Sequence, residues 1–217
     1  MYHSNKLVRL YLAAIEDLIG SNGVAAVLRL AGLGQLIGQY PPDTFDREFS
    51  FADFAAINQS IVEVYGAQGA KGLCLRAGRA TLRNAVTDGG LMADLPDPAF
   101  KLLPVGAQVK VGLNTLAEVL SKLSDQEARL EEHGGDLLFV IETCPECWER
   151  AAERAICYAN TGVLLETLSW LTDTEDYGVI EEKCVAKGDD ACTFRISMRP
   201  QDEVAHGDIE STGSDGS

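Results

Sequence analysis

Histidine is scarce in this chain, and its three copies, His3, His133 and His206, stand far apart in the sequence. A catalytic histidine needs a nucleophile or a carboxylate beside it, so this scatter predicts no histidine-based dyad. Phosphate-binding loops and Gly-x-Ser-x-Gly elbows are absent as well. The glycines of AGLGQLIG follow a helical pattern where a dinucleotide loop follows a strand, so they indicate helix packing or helix termination.

Basic residues and long apolar runs are also in short supply. The chain has 33 acidic and only 18 basic side chains, and its formal net charge of −15 would repel a phosphate backbone, which predicts no nucleic-acid partner. No run of about eighteen apolar residues occurs, so the sequence predicts no membrane span. The N-terminal stretch has acidic residues within its apolar pattern and no small-residue cleavage site. It therefore indicates a first helix and a cytoplasmic protein, not a signal peptide.

The hydrophobic pattern changes its period along the chain. The first hundred-odd residues place apolar side chains at three- and four-residue steps, which is typical of helices. Two strand-like runs then surround HGGD, a helical pattern follows in AICYANTGVLLETLSWLTD, and two further runs surround KGDD. This order predicts an α+β fold in which helices pack against a four-stranded antiparallel sheet, made of two hairpins with an intervening helix.

Local signals refine the helical part and the C-terminus. Gly20 closes the first helix, and Ser50, followed by Asp53, is a typical N-cap. The glycines inside AKGLCLRAGRATLRNAV would let that helix pack closely against a neighbour. From residue 200 onward the sequence is acidic and has no apolar period, so it predicts a folded domain over 1–199 and a disordered acidic tail over 200–217.

Cysteine is the informative residue type. Cys74 stands alone, and the other five of the six crowd the last third of the chain: Cys144, Cys147, Cys157, Cys184 and Cys192. In a reducing compartment, clustered cysteines indicate metal or redox chemistry more often than disulfides. The alternative is that these thiols are small hydrophobic side chains in the core.

The stretch EEKCVAKGDDAC places Cys184 and Cys192 on opposite arms of a short hairpin, where their sulfur atoms can approach each other. Zinc binds thiolates in a tetrahedron, and a carboxylate can complete the set. Glu181 lies on the same arm as Cys184, but strict strand alternation would turn it to the opposite face. It can reach the site where the strand bulges or twists. Cys157, at the start of the intervening helix, could supply the fourth ligand.

Cys144-Pro-Glu-Cys147 offers a competing interpretation. A strand pattern precedes it and a helical pattern, WERAAERA, follows it, which is how a thioredoxin-type redox motif is mounted. Helices ahead of an antiparallel meander do not supply the βαβ unit that such a fold needs. A second metal clip formed by Cys144 and Cys147 stays open.

The run GVLLETLSWLTDTEDYGVIEEKCVAKGDDACTFRI resembles the C-terminal signature of the 4-vinyl reductase, or hydrocarbon-binding, domain family. The hallmark of that family is Glu-x-x-Cys, a glycine-containing turn and Cys-x-Phe, and these places are filled here by Glu181, Cys184, Gly188, Cys192 and Phe194. The upstream segments NGVAAVLRLAGLGQLI, YPPDTFDREFSFADFAAINQ, GLCLRAGRATLRNAV, SDQE and CPECW resemble the bacterial hydrocarbon-binding branch. The resemblance covers roughly residues 5–198, so it implies one 4-vinyl reductase-like ligand-binding domain over 1–199.

This resemblance implies a fold shared with small subunits of the TRAPP transport complex and with haem-based nitric-oxide sensors, often as a homodimer. From related phenol-sensing activators it implies an aromatic effector in an apolar pocket beside a structural zinc. The zinc ligands carried over from those activators are Cys157, Glu181, Cys184 and Cys192. Cys147 and Cys144 are rival ligands. Cys147 is followed by tryptophan, as is the helix cysteine of those activators, whereas Cys157 has the closer spacing to Glu181.

Together these inferences predict a zinc-containing domain that binds an apolar or aromatic hydrocarbon and acts as a bacterial sensor or accessory module. An enzyme is disfavoured and no catalytic residue is predicted, because a zinc with four protein ligands has no open position and no nicotinamide or flavin motif is present. Two alternatives stay open. One is a reductase or accessory factor acting on a vinyl tetrapyrrole in (bacterio)chlorophyll biosynthesis, and the other is a protein-interaction subunit.

Overall fold

The computed structural model describes residues 1–87 and 100–198. The predicted domain end at 199 and the predicted acidic tail over 200–217 lie outside these residues. The regular elements in the described part are β1 (Tyr2–Ser4), α1 (Asn5–Leu30), β2 (Arg47–Ser50), α2 (Phe51–Thr87), α3 (Val105–Leu123), β3 (Ala128–His133), β4 (Asp136–Ile141), α4 (Tyr158–Thr172), β5 (Tyr177–Lys183) and β6 (Cys192–Met198).

Four of the strands form one antiparallel sheet in the order β3-β4-β6-β5. The β3–β4 hairpin turns at Gly134 and Gly135, and the β5–β6 connection passes through a short 3-10 turn, Val185–Lys187, and Gly188. Both turns and the intervening α4 lie where the pattern predicts them, so the α+β prediction with a four-stranded sheet is confirmed. The sequence analysis did not predict the pairing of β1 with β2, because strands of three and four residues show no readable period.

Helices α1 and α2 each change direction at a glycine with positive φ, Gly20 at 74° and Gly66 at 70°. The predicted end of the first helix at Gly20 is thus seen as a break, beyond which a second helical piece continues. Ser50 precedes α2, and its hydroxyl oxygen accepts a hydrogen bond from the backbone N–H of Asp53 at 3.0 Å. This bond confirms the predicted N-cap.

Helix α1 is the one helix within 1–87 and 100–198 that is long and apolar enough, by length and composition alone, to cross a membrane. The core helix of a soluble protein passes the same test. Here 44% of the tested window is buried inside the protein, and Gly20 divides the helix into two pieces. Each piece is shorter than the roughly 20 residues that a span needs.

Helices α2 and α4 cross with their backbones in contact. A Cβ atom at Gly78 would lie 2.0 Å from the carbonyl oxygen of Ala159, and one at Gly162 would lie 2.1 Å from that of Leu75. The close packing predicted for the glycines of this stretch is therefore confirmed at Gly78. The contact fixes the first turn of α4, directly after Cys157.

The segment between β4 and α4 is irregular, so the helical pattern of WERAAERA was wrong as a prediction of a helix. Glu149 adopts a positive φ of 53°, and the N–H of Ala152 donates to the carbonyl oxygen of Ala186 at 2.8 Å. The backbone of this segment is thus bonded to the β5–β6 turn instead of to itself. This arrangement brings the Cys144–Cys147 loop and the β5–β6 turn to the same place.

Candidate metal centre and ligand cavities

Five cysteines converge from three parts of the fold. Cys144 and Cys147 follow β4, Cys157 is the residue before α4, Cys184 precedes the 3-10 turn, and Cys192 is the first residue of β6. All five are buried, at 3% exposed for Cys144 and 0% for the others. Cys74, the remaining cysteine, is buried elsewhere, in the core between α1 and α2, near the side chain of Asn58.

The sulfur atoms of the cluster lie at closely similar separations. Cys157 Sγ is 3.5 Å from Cys144 Sγ, 3.7 Å from Cys192 Sγ and 3.8 Å from Cys184 Sγ. Cys147 Sγ is 3.5 Å from Cys192 Sγ. These separations exceed a disulfide bond of about 2 Å, and all the cysteines are free thiols. Because Cys144 and Cys147 are buried, neither offers the accessible sulfur that thioredoxin-type exchange requires.

The ligand atoms form two groups, in each of which every atom lies within 4.8 Å of the others. The first group contains the thiols of Cys144, Cys147, Cys157 and Cys192. The second contains the thiols of Cys157, Cys184 and Cys192 with a carboxylate oxygen of Glu181. The predicted ligand set and both rival cysteines therefore lie together in one cluster. Which of them bind metal stays a prediction.

Glu181 reaches the cluster because the pairing of β5 with β6 is irregular. The register shifts between Glu181 and Lys183, which is the kind of irregularity that strand alternation requires for this side chain to turn inward. Its Oε2 atom accepts a hydrogen bond from the backbone N–H of Cys157 at 2.8 Å. Its Oε1 atom is buried and has no hydrogen-bond partner. A buried carboxylate oxygen without a donor is suited to a cation.

Hydrogen-bond donors around the cluster point at sulfur. Asn160 Nδ2 lies 3.4 Å from Cys144 Sγ, and the backbone N–H of Val185 donates to Cys192 Sγ at 3.4 Å. The N–H of Cys184 donates to Asp189 Oδ2 at 2.8 Å, which holds the β5–β6 turn in shape. Donors of this kind orient thiolate ligands and stabilise their negative charge.

Glu146 is a functional candidate that sequence reasoning missed. It lies between Cys144 and Cys147, is 1% exposed, and accepts hydrogen bonds from the backbone N–H groups of Ala159 at 2.8 Å and Asn160 at 3.0 Å. Its carboxylate thus binds the N-terminus of α4, where the helix dipole favours negative charge. The only signal in the sequence is its place inside the Cys-x-x-Cys motif.

The acidic groups of the site are perturbed by burial. Burial raises the pKa of Glu146 to about 8 against the opposing N–H groups of Ala159 and Asn160. Burial, followed by the neighbouring charge of Cys184, raises the pKa of Glu181 to about 8. No ion pair within the described part of the chain involves either carboxylate. A divalent cation bound by the thiolates and Glu181 would supply positive charge that these side chains lack.

Two cavities adjoin this region, and Glu146 lines both of them. The larger has a volume of about 250 Å³ and lies between α2 and the segment that follows Cys147, with Val62, Ala70, Ile156 and Tyr158 among its apolar walls. Arg150 also lines it, and its buried Nε atom has no hydrogen-bond partner.

The smaller cavity, about 60 Å³, lies on the other side of Glu146 between α1, α2 and α4. His3 and Gln126 line it, and the buried His3 Nδ1 and Gln126 Oε1 atoms have no hydrogen-bond partner. Two unpartnered polar atoms in an otherwise apolar wall can orient a polar group or a water molecule.

Comparison with known proteins identifies this region. Residues 137–198, which run from β4 to β6 and contain the whole cysteine cluster, match the 4-vinyl reductase domain. The uncharacterized proteins MJ0855 and MJ0745 of Methanocaldococcus jannaschii are each 32% identical to the chain, over 88 and 62 residues. The matches cover 40% and 29% of this chain and 39% and 34% of those proteins, so the chain spans well under half of either relative.

Solved structures with a similar fold are H-NOX proteins. One from S. oneidensis in the Fe(II)NO ligation state is 12% identical, with a TM-score of 0.53 over 88% of this chain and 98% of that one. An Fe(II) unliganded H-NOX mutant from K. algicida is 16% identical, with a TM-score of 0.56 over 91% and 97%. An oxygen-binding H-NOX domain related to soluble guanylate cyclases is 14% identical, with a TM-score of 0.56 over 91% and 95%. These likenesses concern the fold, and the predicted relation to nitric-oxide-sensor domains is confirmed at that level.

Proposed function

We propose that this chain, which matches the 4-vinyl reductase domain and has the fold of H-NOX proteins, is a zinc-containing sensor-type module that binds a small apolar or aromatic molecule. Two of the H-NOX structures named above are described with nitric oxide or oxygen as a ligand, and the domain match supports a ligand-binding role here. No catalytic residue is assigned, because the buried thiols and carboxylates adjoin no accessible nucleophile in the described part of the chain.

Zinc is the metal that the donor set fits best. Thiolates and one carboxylate at tetrahedral separations are typical of a structural zinc site, whereas calcium and magnesium take oxygen ligands. The ligands join the end of β4, the start of α4 and the β5–β6 turn. A metal bound there would hold these three segments of the chain together.

One observation carries the link between metal and ligand: Glu146 lines the 250 Å³ cavity and lies between two cysteines of the cluster. A molecule bound against Glu146 would therefore contact the loop that holds the metal. The apolar walls favour an apolar or aromatic body, and Arg150 Nε offers one donor for a polar substituent. The binding energy of such a ligand would act on the Cys144–Cys147 loop and on the first turn of α4.

Calorimetric titration of the purified full chain with phenol and with toluene tests this proposal. We expect binding of at least one of them, and we expect Ala67→Trp to weaken it by about tenfold or more because Ala67 is an exposed residue of the cavity wall. Gln68→Trp is the matched control, since Gln68 is exposed beside Ala67 and is not in that wall. Equal loss of binding in both variants, or no binding of either probe, would contradict the assignment.

The same proposal places the protein in the cytoplasm as a homodimer. The free thiols of the cysteines support a reducing compartment. Light scattering of the purified chain, whose mass is 23.3 kDa, distinguishes a monomer from a dimer.

A further inference from the structure

The two groups of ligand atoms in the cluster are not independent, because Cys157 and Cys192 belong to both. Cys144 and Cys147 complete one group, and Cys184 and Glu181 complete the other. Six donors are thus arranged as two tetrahedra that share an edge. The shared edge is the pair of sulfur atoms of Cys157 and Cys192, which lie 3.7 Å apart.

The sulfur separations fit zinc tetrahedra. A zinc–sulfur bond of about 2.3 Å gives a tetrahedral edge of roughly 3.8 Å. The separations across the cluster are 3.5, 3.7 and 3.8 Å, in both groups and on the shared edge. An iron–sulfur cluster places iron and sulfide between its cysteines, so its cysteine sulfur atoms would stand farther apart than these.

A single metal would leave two donors unused, whichever group it occupied. In the second group it would leave Cys144 and Cys147, which are buried against the ligands and receive a hydrogen bond from Asn160. In the first group it would leave Cys184 and the unpartnered Oε1 atom of Glu181. That orphaned oxygen is independent of the sulfur geometry, and it calls for a cation on its own side of the cluster.

From these observations we infer that the chain holds a pair of zinc ions bridged by the thiolates of Cys157 and Cys192. Cys144 and Cys147 are the terminal ligands of one ion, and Cys184 and Glu181 are those of the other. The inference rests on the proposed zinc site and goes beyond it, since that site needs one ion. Five thiolates and a carboxylate carry more negative charge than one divalent ion neutralises, and a second ion replaces protons that the thiols would otherwise keep.

Elemental analysis of the purified full chain separates the two levels of the account. Two zinc ions per chain are expected. One zinc per chain would overturn the paired site and leave the proposed function standing, whereas no metal would overturn both. Iron with acid-labile sulfide would also overturn the zinc pair.

Variants assign the two ions to their ligands. The double substitution Cys144→Ser with Cys147→Ser should reduce the zinc content from two to one. Cys74→Ala is the matched control, because Cys74 is a buried cysteine outside the cluster, and it should keep both ions. An unchanged zinc content in the double variant would overturn the inference.

Cadmium substitution tests the bridge in the wild-type chain and does not depend on whether a variant folds. The ¹¹³Cd spectrum should show two resonances split by cadmium–cadmium coupling through the shared sulfur atoms. Two uncoupled resonances, or a single one, would overturn the bridged arrangement.

Discussion

The carboxylate of Glu181 accepts a hydrogen bond from the backbone N–H of Cys157 at 2.8 Å, although Glu181 lies on β5 and Cys157 precedes α4. The bond exists because the register shift after Glu181 turns this side chain inward. One oxygen atom is used to hold the start of α4, and the other, unpartnered atom faces the thiols. The same residue thus positions a cysteine and offers a metal ligand.

Substitution of Glu181 by glutamine separates these two roles. Glu181→Gln keeps an oxygen atom for the Cys157 N–H but removes the charge, so we expect zinc affinity to fall by at least about tenfold. Competition with a chelating indicator measures this affinity. Glu182→Gln is the matched control, because Glu182 is an exposed neighbour paired with Arg195 at the surface. If both variants bind zinc like the wild type, Glu181 is not a ligand.

Removal of zinc should loosen the protein locally before it unfolds the rest. Residues 143–157 form no helix or strand and are joined to the β5–β6 turn chiefly through the cluster, so their amide hydrogens should exchange faster after chelation. The core of α1 and α2, which contains Ile15 and Ile57, lies in a separate cluster of buried side chains. Its amides serve as the internal control. Uniform exchange rates before and after chelation would contradict a structural role for the metal.

The crossing of α2 and α4 predicts a large cost for one methyl group. Gly162→Ala would place its Cβ 2.1 Å from the carbonyl oxygen of Leu75, where only backbone movement can relieve the clash. We expect the free energy of unfolding to fall by about 3 kcal/mol in denaturant titrations. Gly72→Ala is the control, because Gly72 is an exposed helical residue with nothing within 4 Å of its Cβ position. It should be neutral or stabilising by up to about 1 kcal/mol.

Burial of His3 predicts an acid-sensitive contribution to stability. Burial lowers the pKa of His3 from 6.5 to about 3, and the nearby charge of Asp125 opposes the shift. Between these values the unfolded chain binds the proton and the folded chain does not. Acidification below pH 6.5 therefore lowers the free energy of unfolding, by at most about 1.4 kcal/mol per pH unit from this group.

His3→Phe should flatten that part of the profile, because it keeps the aromatic contacts with Phe51 and Phe54 and removes the titrating group. Denaturant titrations between pH 7 and about 5 measure the difference from the wild type, in which effects of metal-ligand protonation cancel. His133→Gln, a substitution in the exposed β3–β4 turn, is the control. Parallel profiles for the wild type and His3→Phe would contradict the assignment.

The sequence predicted the parts of the site that are local in the chain. The hairpin signal at KGDD placed Cys184 opposite Cys192, and the apolar period of α4 placed Cys157 at its start. Even the objection to Glu181 followed from strand alternation, and the register shift answers it. These features depend on neighbours within a few residues, which is the range over which periodicity and turn chemistry act.

The features that sequence reasoning missed depend on contacts between distant segments. Glu146 is buried because α4 packs over it, and nothing in CPEC distinguishes a buried carboxylate from a solvated one. Trp148 to Ala155 has a helical composition, yet its bonds to the β5–β6 turn override that preference. The choice between Cys157 and Cys147 also had no answer in spacing alone, because both sulfur atoms enter the same cluster.

Native mass spectrometry of the purified full chain tests the central claim most directly, since it reports bound metal and compactness of the same molecules. The account predicts a compact charge-state distribution whose mass exceeds that of the polypeptide by two zinc ions. It also predicts that stripping the metal shifts molecules toward the extended distribution of an unfolded chain. A metal-free mass in the same compact distribution would contradict the claim that zinc holds this fold together.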